Sequence, residues 1–459
     1  MKNLIFVIAL ILLHESLLSQ TFVFDPKEDF TTGGGPISIL TDDLDGDGKY
    51  DLAVANQNSN TFSVLRNIST NGSISLETKV DFETGSLPRA IGTGDLDGDN
   101  KNDIAVANFS SNTISVFRNT STSGSISFET KVDLTTETYP YGVGIGDLDG
   151  DGKLDLVTTN HGSNTISVFC NTSTTGSISF ETGIVFTAGN GVISGAIEDF
   201  DGDGKPDIAV VNHDDSTLSV FPNISTVGSI SLGTKIDYKT GRGPRIVAIG
   251  DLDADGKPDI AVPNSGGNST IVSVFRNIST VGNISFESKL DFTAGGNPQS
   301  ISIGDLDGDN RLDLAVADHS SSTISLLRNT STSGTITFAT REQLTANTGP
   351  YDLVVADLDG DNKLDIAIAN WGREGEGNTI SVFRNATPIG VLVNKYKQIP
   401  VEYFLSQNFP NPFNPITTIR YGLPKSTDVS LTVYNLLGQK VAELVNSHQE
   451  PGYYQVSWN

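Results

Sequence analysis

An all-β fold, a seven-bladed β-propeller followed by a small β-domain, is predicted by the sequence, and three features carry the propeller. An acidic loop of the form Asp-x-Asp-x-Asp-x-(Lys/Arg)-x-Asp occurs seven times, beginning at Asp43, Asp95, Asp147, Asp199, Asp251, Asp305 and Asp357. The steps between copies are 52, 52, 52, 52, 54 and 52 residues. Between the loops, period-two alternation, β-branched residues and Ser/Thr/Gly turns mark strands, and no window carries a helical period.

The third copy shows the grammar of a unit. A first strand, Gly-Val-Gly-Ile-Gly at 142–146, enters the acidic loop at Asp147, and a second leaves it at 154–160. A third strand follows as Thr-Ile-Ser-Val-Phe at 165–169. The turn at Asn171 then leads into a fourth, expected over Ser-Ile-Ser-Phe-Glu-Thr at 177–182. Four short strands in about 50 residues is the arithmetic of a propeller blade; a β-helix coil is shorter and a separate sandwich longer. The seventh copy lacks a fourth strand after Asn385, whereas Thr21–Phe30, with the Thr-Thr-Gly-Gly-Gly-Pro loop after it, matches one. The first strand is therefore expected to complete the last blade and remove the open edges of the ring. The propeller is placed at 21–386 and a linker at 387–402.

The net charge of -26 belongs to the loops. Seven loops of four aspartates hold 28 acidic groups, without which the chain would stand near +2. No cluster of Lys and Arg offers a nucleic-acid surface. Residues 1–20 combine a charged start, an apolar run from Leu4 to Leu13 and a small polar end, which reads as a signal peptide and is too short to span a bilayer. No Cys follows the run, which disfavours a lipoprotein anchor, and no later stretch reads as a transmembrane segment. The single cysteine, Cys170, precludes an internal disulfide. It takes a repeat position held elsewhere by Arg66, Arg118, Pro222, Arg276, Arg328 and Arg384, so the site is expected to be tolerant and exposed.

Aspartates at loop positions 1, 3, 5 and 9, with a carbonyl at 7, can wrap hard oxygen ligands around one cation, and oxygen-only ligation at this charge density suits calcium. The expected ligands are Asp43, Asp45, Asp47 and Asp51 in the first loop, and Asp95, Asp97, Asp99 and Asp103 in the second. The third and fourth loops offer Asp147, Asp149, Asp151 and Asp155, then Asp199, Asp201, Asp203 and Asp207. In the fifth they are Asp251, Asp253, Asp255 and Asp259, with Ala254 where other loops carry Gly. The last two sets are Asp305, Asp307, Asp309 and Asp313, and Asp357, Asp359, Asp361 and Asp365. An EF-hand is excluded, because position 12 is Val54, Val106, Thr158, Val210, Val262, Val316 or Ile368 and lies in a predicted strand. Up to seven structural calcium ions are expected. Nothing resembling a nucleophile or base recurs beside them.

These loops and their flanking strands resemble the FG-GAP or VCBS repeats of integrin α-type propellers and their bacterial relatives, over roughly 21–386. The resemblance implies a propeller fold and calcium. The Phe-Gly and Gly-Ala-Pro signatures of the integrin version are poorly kept, so integrin ligand recognition does not carry over.

Variation between the repeats collects on the face opposite the acidic loops. After the second strand the equivalent positions are Gln57, Phe109, His161, His213, Ser265, His319 and Trp371. After the fourth-to-first loop they are Ile37, Arg89, Tyr141, Ile193, Arg245, Gln299 and Tyr351. Aromatic, His and Arg side chains at loop tips suit recognition of sugars or proteins. The candidate ligand-binding set is therefore Arg89, Phe109, Tyr141, His161, His213, Arg245, His319, Tyr351 and Trp371. The histidines have no carboxylate partner in step, which disfavours zinc. Seven Asn-x-Ser/Thr sequons, from Asn67 to Asn385, read as turn chemistry.

Residues 403–459 change grammar, with Phe404-Leu-Ser-Gln-Asn-Phe-Pro-Asn-Pro-Phe-Asn-Pro, Val433-Tyr-Asn-Leu-Leu-Gly-Gln-Lys-Val-Ala and Pro451-Gly-Tyr-Tyr-Gln-Val-Ser-Trp. This segment resembles the type A sorting domain of the bacterial type IX secretion system, which implies an Ig-like sandwich addressed to that machinery. Such domains normally run on through another hairpin to a basic, aliphatic tail, so the domain is expected to be incomplete at Asn459. The sequence thus predicts an exported calcium-binding propeller, secreted or at the outer-membrane surface of a bacterium, that binds carbohydrate or protein. The competing expectations are a polysaccharide-degrading propeller enzyme, a lyase or glycosidase, and a structural surface spacer.

Overall fold

The computed structural model describes residues 21–387, 403–405, 417–434, 439–449 and 451–458. The expected signal peptide and most of the expected linker lie outside these residues. Contacts divide the chain into two units, 1–389 and 390–459. No helix among the described residues is long and apolar enough to cross a membrane.

The first unit is all-β and is built from seven four-stranded antiparallel sheets, an arrangement consistent with a propeller. The first sheet comprises Pro36–Asp42, Asp51–Asn56, Thr61–Leu65 and Val80–Glu83, and each later sheet repeats that plan. The second strand of every sheet is buried throughout, as its mostly apolar centre requires when sheets pack on both sides. The first strands of successive sheets lie against one another in cyclic order, and the strand at Pro350–Ala356 returns to that at Pro36–Asp42. One apolar cluster joins Ile39, Leu52 and Val54 of the first sheet to Ala367, Ile380 and Val382 of the last. The last sheet takes its outer strand from the N-terminus: Glu28–Thr31 pairs antiparallel with Thr379–Phe383. Thr387, assigned by sequence to the linker, is buried, and its hydroxyl accepts a 2.9 Å bond from the Val23 N–H.

Two expectations need correction. The fourth strand of the third unit is Ile184–Thr187, later than the 177–182 predicted. Residues 171–180 instead form a compact knot, in which Thr174 and Ser177 exchange backbone bonds and the Ser173 hydroxyl bonds the backbone of Ser179 on both sides. Local side-chain bonding of this kind captures the segment before a ladder can. The variable residue after the fourth-to-first loop is also not a loop tip. In six sheets the ladder slips around it, as between Pro140 and Gly142 or Pro350 and Asp352, so that Tyr141 and Tyr351 are bulge residues at the start of the first strand. A bulge re-aims one side chain out of the pleat.

The described residues of the second unit form a three-stranded sheet, of Phe404–Leu405, Thr417–Leu423 and Gly452–Trp458, and a hairpin of Thr427–Tyr434 with Lys440–Gln449.

Candidate functional site

Each acidic loop folds on its own aspartates. In the first, Asp43 accepts the N–H groups of Asp47 and Gly48, Asp45 accepts from Asp47, and Asp47 accepts from Lys49. Gly46 and Gly48 have φ of 75° and 87°, the left-handed region that turns alternate carboxylates inward. Ala254 takes the same conformation at 57°. A Cβ built on Gly46 meets nothing within 4 Å, so the cost at Ala254 is confined to the backbone, about 1 kcal/mol. Carboxylate oxygens gather within 4.8 Å of one another in groups such as Asp43, Asp45 and Asp51, or Asp95, Asp97 and Asp99. These clusters could hold a metal ion.

The ninth-position aspartate does more than the spacing suggests. Asp51 is fully buried, and its two oxygens accept N–H groups from Leu44 and Asn67. Burial, reinforced by Asp45 and Asp47, outweighs these bonds and pushes Asp51 up to about 7. Asp103, Asp207, Asp259, Asp313 and Asp365 behave alike. Buried carboxylates held this close favour either a proton or a cation.

The position occupied by Cys170 is half-buried, contrary to the expectation of an exposed site. Four of its six equivalents grip the loop: Arg384 Nε and Nη2 lie 2.6 and 2.7 Å from the carboxylates of Asp359 and Asp361. Arg66, Arg118 and Arg276 make the same pairs in their own loops. Cys170 leaves only a 3.4 Å contact to Asp149, and burial pushes its thiol up to about 12, which makes it unreactive.

At the other end of the first strands, a cavity of about 80 Å³ is lined by all seven sheets. The bulge residues Arg89, Tyr141, Gln299 and Tyr351, and Arg245 at the equivalent position of the fifth sheet, line it. The Tyr141 and Tyr351 hydroxyls stand 3.1 Å apart, and Arg245 Nη1 reaches the Tyr141 hydroxyl at 3.5 Å. The Arg89 guanidinium lies 5.1 Å from the Tyr141 ring centre and 5.2 Å from that of Phe109. Burial opposes ionisation of Tyr141, but Arg89 and Arg245 outweigh it and hold that phenol below the usual tyrosine range, whereas burial pushes Tyr351 up. His161 packs on Phe109 and Tyr141, and His319 packs on Tyr351 and Trp371. Burial lowers both imidazoles, which favours their neutral form.

Eight of the nine residues expected at a ligand face therefore form one connected cluster. They are half-buried around the cavity rather than displayed at tips. His213 is not tied into it by any described ring contact; its Nδ1 lies 2.8 Å from Asp214.

Six overlapping segments, 43–106, 95–158, 147–210, 199–262, 251–316 and 305–368, match the model of the FG-GAP-like repeat. The chain belongs to the FG-GAP-like repeat family. No curated protein matches it. Among solved structures it is similar to BBS1N in complex with ARL6DN, at 14% identity and a TM-score of 0.51, over 80% of this chain and 98% of that one. It is also similar to a putative 6-phosphogluconolactonase from Bacteroides fragilis, at 19% identity and a TM-score of 0.51, over 69% and 86% of the two chains. At these identities the likeness is one of fold.

Two features of these FG-GAP-like repeats were missed in the sequence. Tyr139, exposed and at a φ of 58°, stacks on Phe109 with ring centres 4.6 Å apart, and its only signal was bulk at a turn. The sequon asparagines are buried latches between repeats. Asn119 donates to the Leu44 carbonyl of the preceding repeat at 2.9 Å and to Asn102 of its own at 2.8 Å. Asn171, Asn223, Asn277, Asn329 and Asn385 reach back in the same way, and Asn67 reaches Leu358 across the closure. The recurring spacing was visible, but its partner one repeat earlier was not.

Proposed function

We propose that this chain is an exported binding module, a seven-bladed FG-GAP-like propeller stiffened by up to seven calcium ions. It recognises carbohydrate or protein at the end of its channel opposite the acidic loops. The observation that carries the reading is the convergence on one cavity of Arg89, Tyr141, Arg245 and Tyr351, side chains that near-identical repeats do not share. Calcium is supported by the loop chemistry, since the grouped donors are all carboxylates and several are buried. Loop positions 1, 3 and 5 would supply carboxylate ligands, position 7 a carbonyl and position 9 a carboxylate already fixed by the fold. The apolar N-terminal segment and the type A-like tail support export through the type IX machinery, with the tail as an Ig-like address. The test is a screen of the full chain against glycans and candidate protein ligands, with calcium and with EDTA. Ligand binding that needs a folded, calcium-loaded chain is expected; indifference of the melting temperature to EDTA would remove the calcium reading.

A polysaccharide-degrading activity is the second reading, favoured by one observation: a Tyr, Arg and His set does meet in the channel. Release of reducing ends from acidic polysaccharides, abolished in Tyr141→Phe, would establish it in place of simple binding.

A further inference from the structure

We infer that the channel cavity is a carboxylate pocket, and that its occupant is the acid group of a uronate sugar. This rests on reading the propeller as a carbohydrate-binding module and names the class of sugar.

The first argument is charge. Arg89 and Arg245 line one small cavity, and among the described residues neither makes an ion pair. Arg89 Nε is buried without an acceptor. Arg245 has the Ser265 hydroxyl at 2.8 Å and the Tyr141 hydroxyl at 3.5 Å, neither of them a carboxylate. The one carboxylate in the lining, Asp352, is already engaged by the Ser300 hydroxyl and the N–H groups of Ile39 and Leu353. Two guanidiniums facing one cavity without an ion-pair partner are costly, and contact with aromatic rings recovers only part of that cost. A planar carboxylate matches the fork of each guanidinium.

The second argument is size and surroundings. About 80 Å³ holds a few water-sized groups, enough for a carboxylate and the carbon next to it, and too little for a nucleotide or a polymer segment. Gln299 Oε1 is buried in the same lining without a donor, which suits a hydroxyl beside the acid. Outside the cavity, Tyr139, exposed and stacked on Phe109, and half-buried Trp371 are the aromatic side chains against which a pyranose could lie. An acid group inside and a sugar ring at the aromatic rim satisfy every one of these features.

The test is titration of the full chain in calcium-containing buffer, followed by calorimetry, with sodium glucuronate and galacturonate. Glucose, methyl glucuronate and glucose 6-phosphate serve as controls. The uronates should bind at least about tenfold more tightly than glucose or the methyl ester. Arg89→Gln and Arg245→Gln should each weaken uronate binding about tenfold or more while leaving glucose unchanged. Arg89→Lys, which keeps charge without the fork, should fall between wild type and Arg89→Gln, and circular dichroism should show all variants folded. Equal binding of glucose and glucuronate, insensitive to either arginine, would overturn the carboxylate pocket and leave the binding module standing. Preference for the phosphate ester would overturn the carboxylate assignment. No binding by any sugar would overturn both the pocket and the carbohydrate reading on which it rests.

Discussion

Replacing Asn119 with alanine tests whether the repeats are locked together as the structure indicates. The side chain is fully buried. Its amide donates to Leu44 in the preceding repeat and to Asn102 in its own, and its oxygen accepts the Ser121 N–H at 2.8 Å. Alanine removes all three bonds and leaves two carbonyls and one N–H without partners in a site closed to water. Each stranded group costs about 1–3 kcal/mol, carbonyls toward the low end because they keep a second lone pair. The expected loss is therefore about 3–5 kcal/mol. Denaturant unfolding in calcium should show the midpoint falling with little change in slope, since the same surface is exposed. Asn119→Asp should be at least as damaging at neutral pH, because a carboxylate would face two carbonyls. Asn71→Ala, in an exposed turn, should stay within about 0.5 kcal/mol. A loss below about 1 kcal/mol at Asn119 would show that repeat cohesion comes from apolar packing alone.

Asp318 stands where the other repeats carry Asn56, Asn108, Asn160, Asn212, Asn264 and Asn370, and burial, against bonds from Ser325, Thr323 and Gly295, pushes it up to about 6. The folded chain keeps a proton there that the unfolded chain has released, so its contribution is complete below about pH 4 and is lost as the pH rises through 6, by about 3 kcal/mol. Asp318→Asn should remove that step from the pH profile of the melting temperature and stabilise the chain at pH 7. Calcium at tenfold excess over its dissociation constant should add ~1.4 kcal/mol per site, and seven sites about 10 kcal/mol, read as the difference between scans with calcium and with EDTA. Cys170→Arg should restore to the third loop the grip that Arg118 has on Asp97 and Asp99. Its expected effect is a gain of up to about 1 kcal/mol in EDTA and less with calcium bound, measured by thermal unfolding.

What could be read from the sequence was whatever is local or periodic. The alternation in Thr165–Phe169 fixes a strand because successive side chains must face opposite sides. The loop at Asp147 declares itself through charges only two residues apart, which repel one another unless a neutralising group is near. The missing fourth strand after Asn385 pointed to Glu28–Thr31 because a propeller cannot leave that edge open. Where the reading failed, a local competitor or a distant partner intervened. Residues 177–182 alternate like a strand, yet Ser173 and Thr174 bond them into a turn first. The position of Cys170 looked tolerant because its equivalents in the other repeats include both Arg and Pro, while the carboxylate it faces belongs to Asp149, folded back onto it.

The sequence alone determined the repeat, its first three strands and its acidic loops, since each depends on residues a few positions apart. Only the tertiary structure decided that Arg89 and Arg245 share one cavity, and that Tyr141 meets Tyr351. Those pairs lie three and four repeats apart, and nothing in their local sequence records an angle about the axis. A bulge at the head of the first strand in six of the seven sheets turns one variable side chain inward, and closure brings these positions to the same point. Their chemistry was written in the chain, but their proximity is a property of the ring.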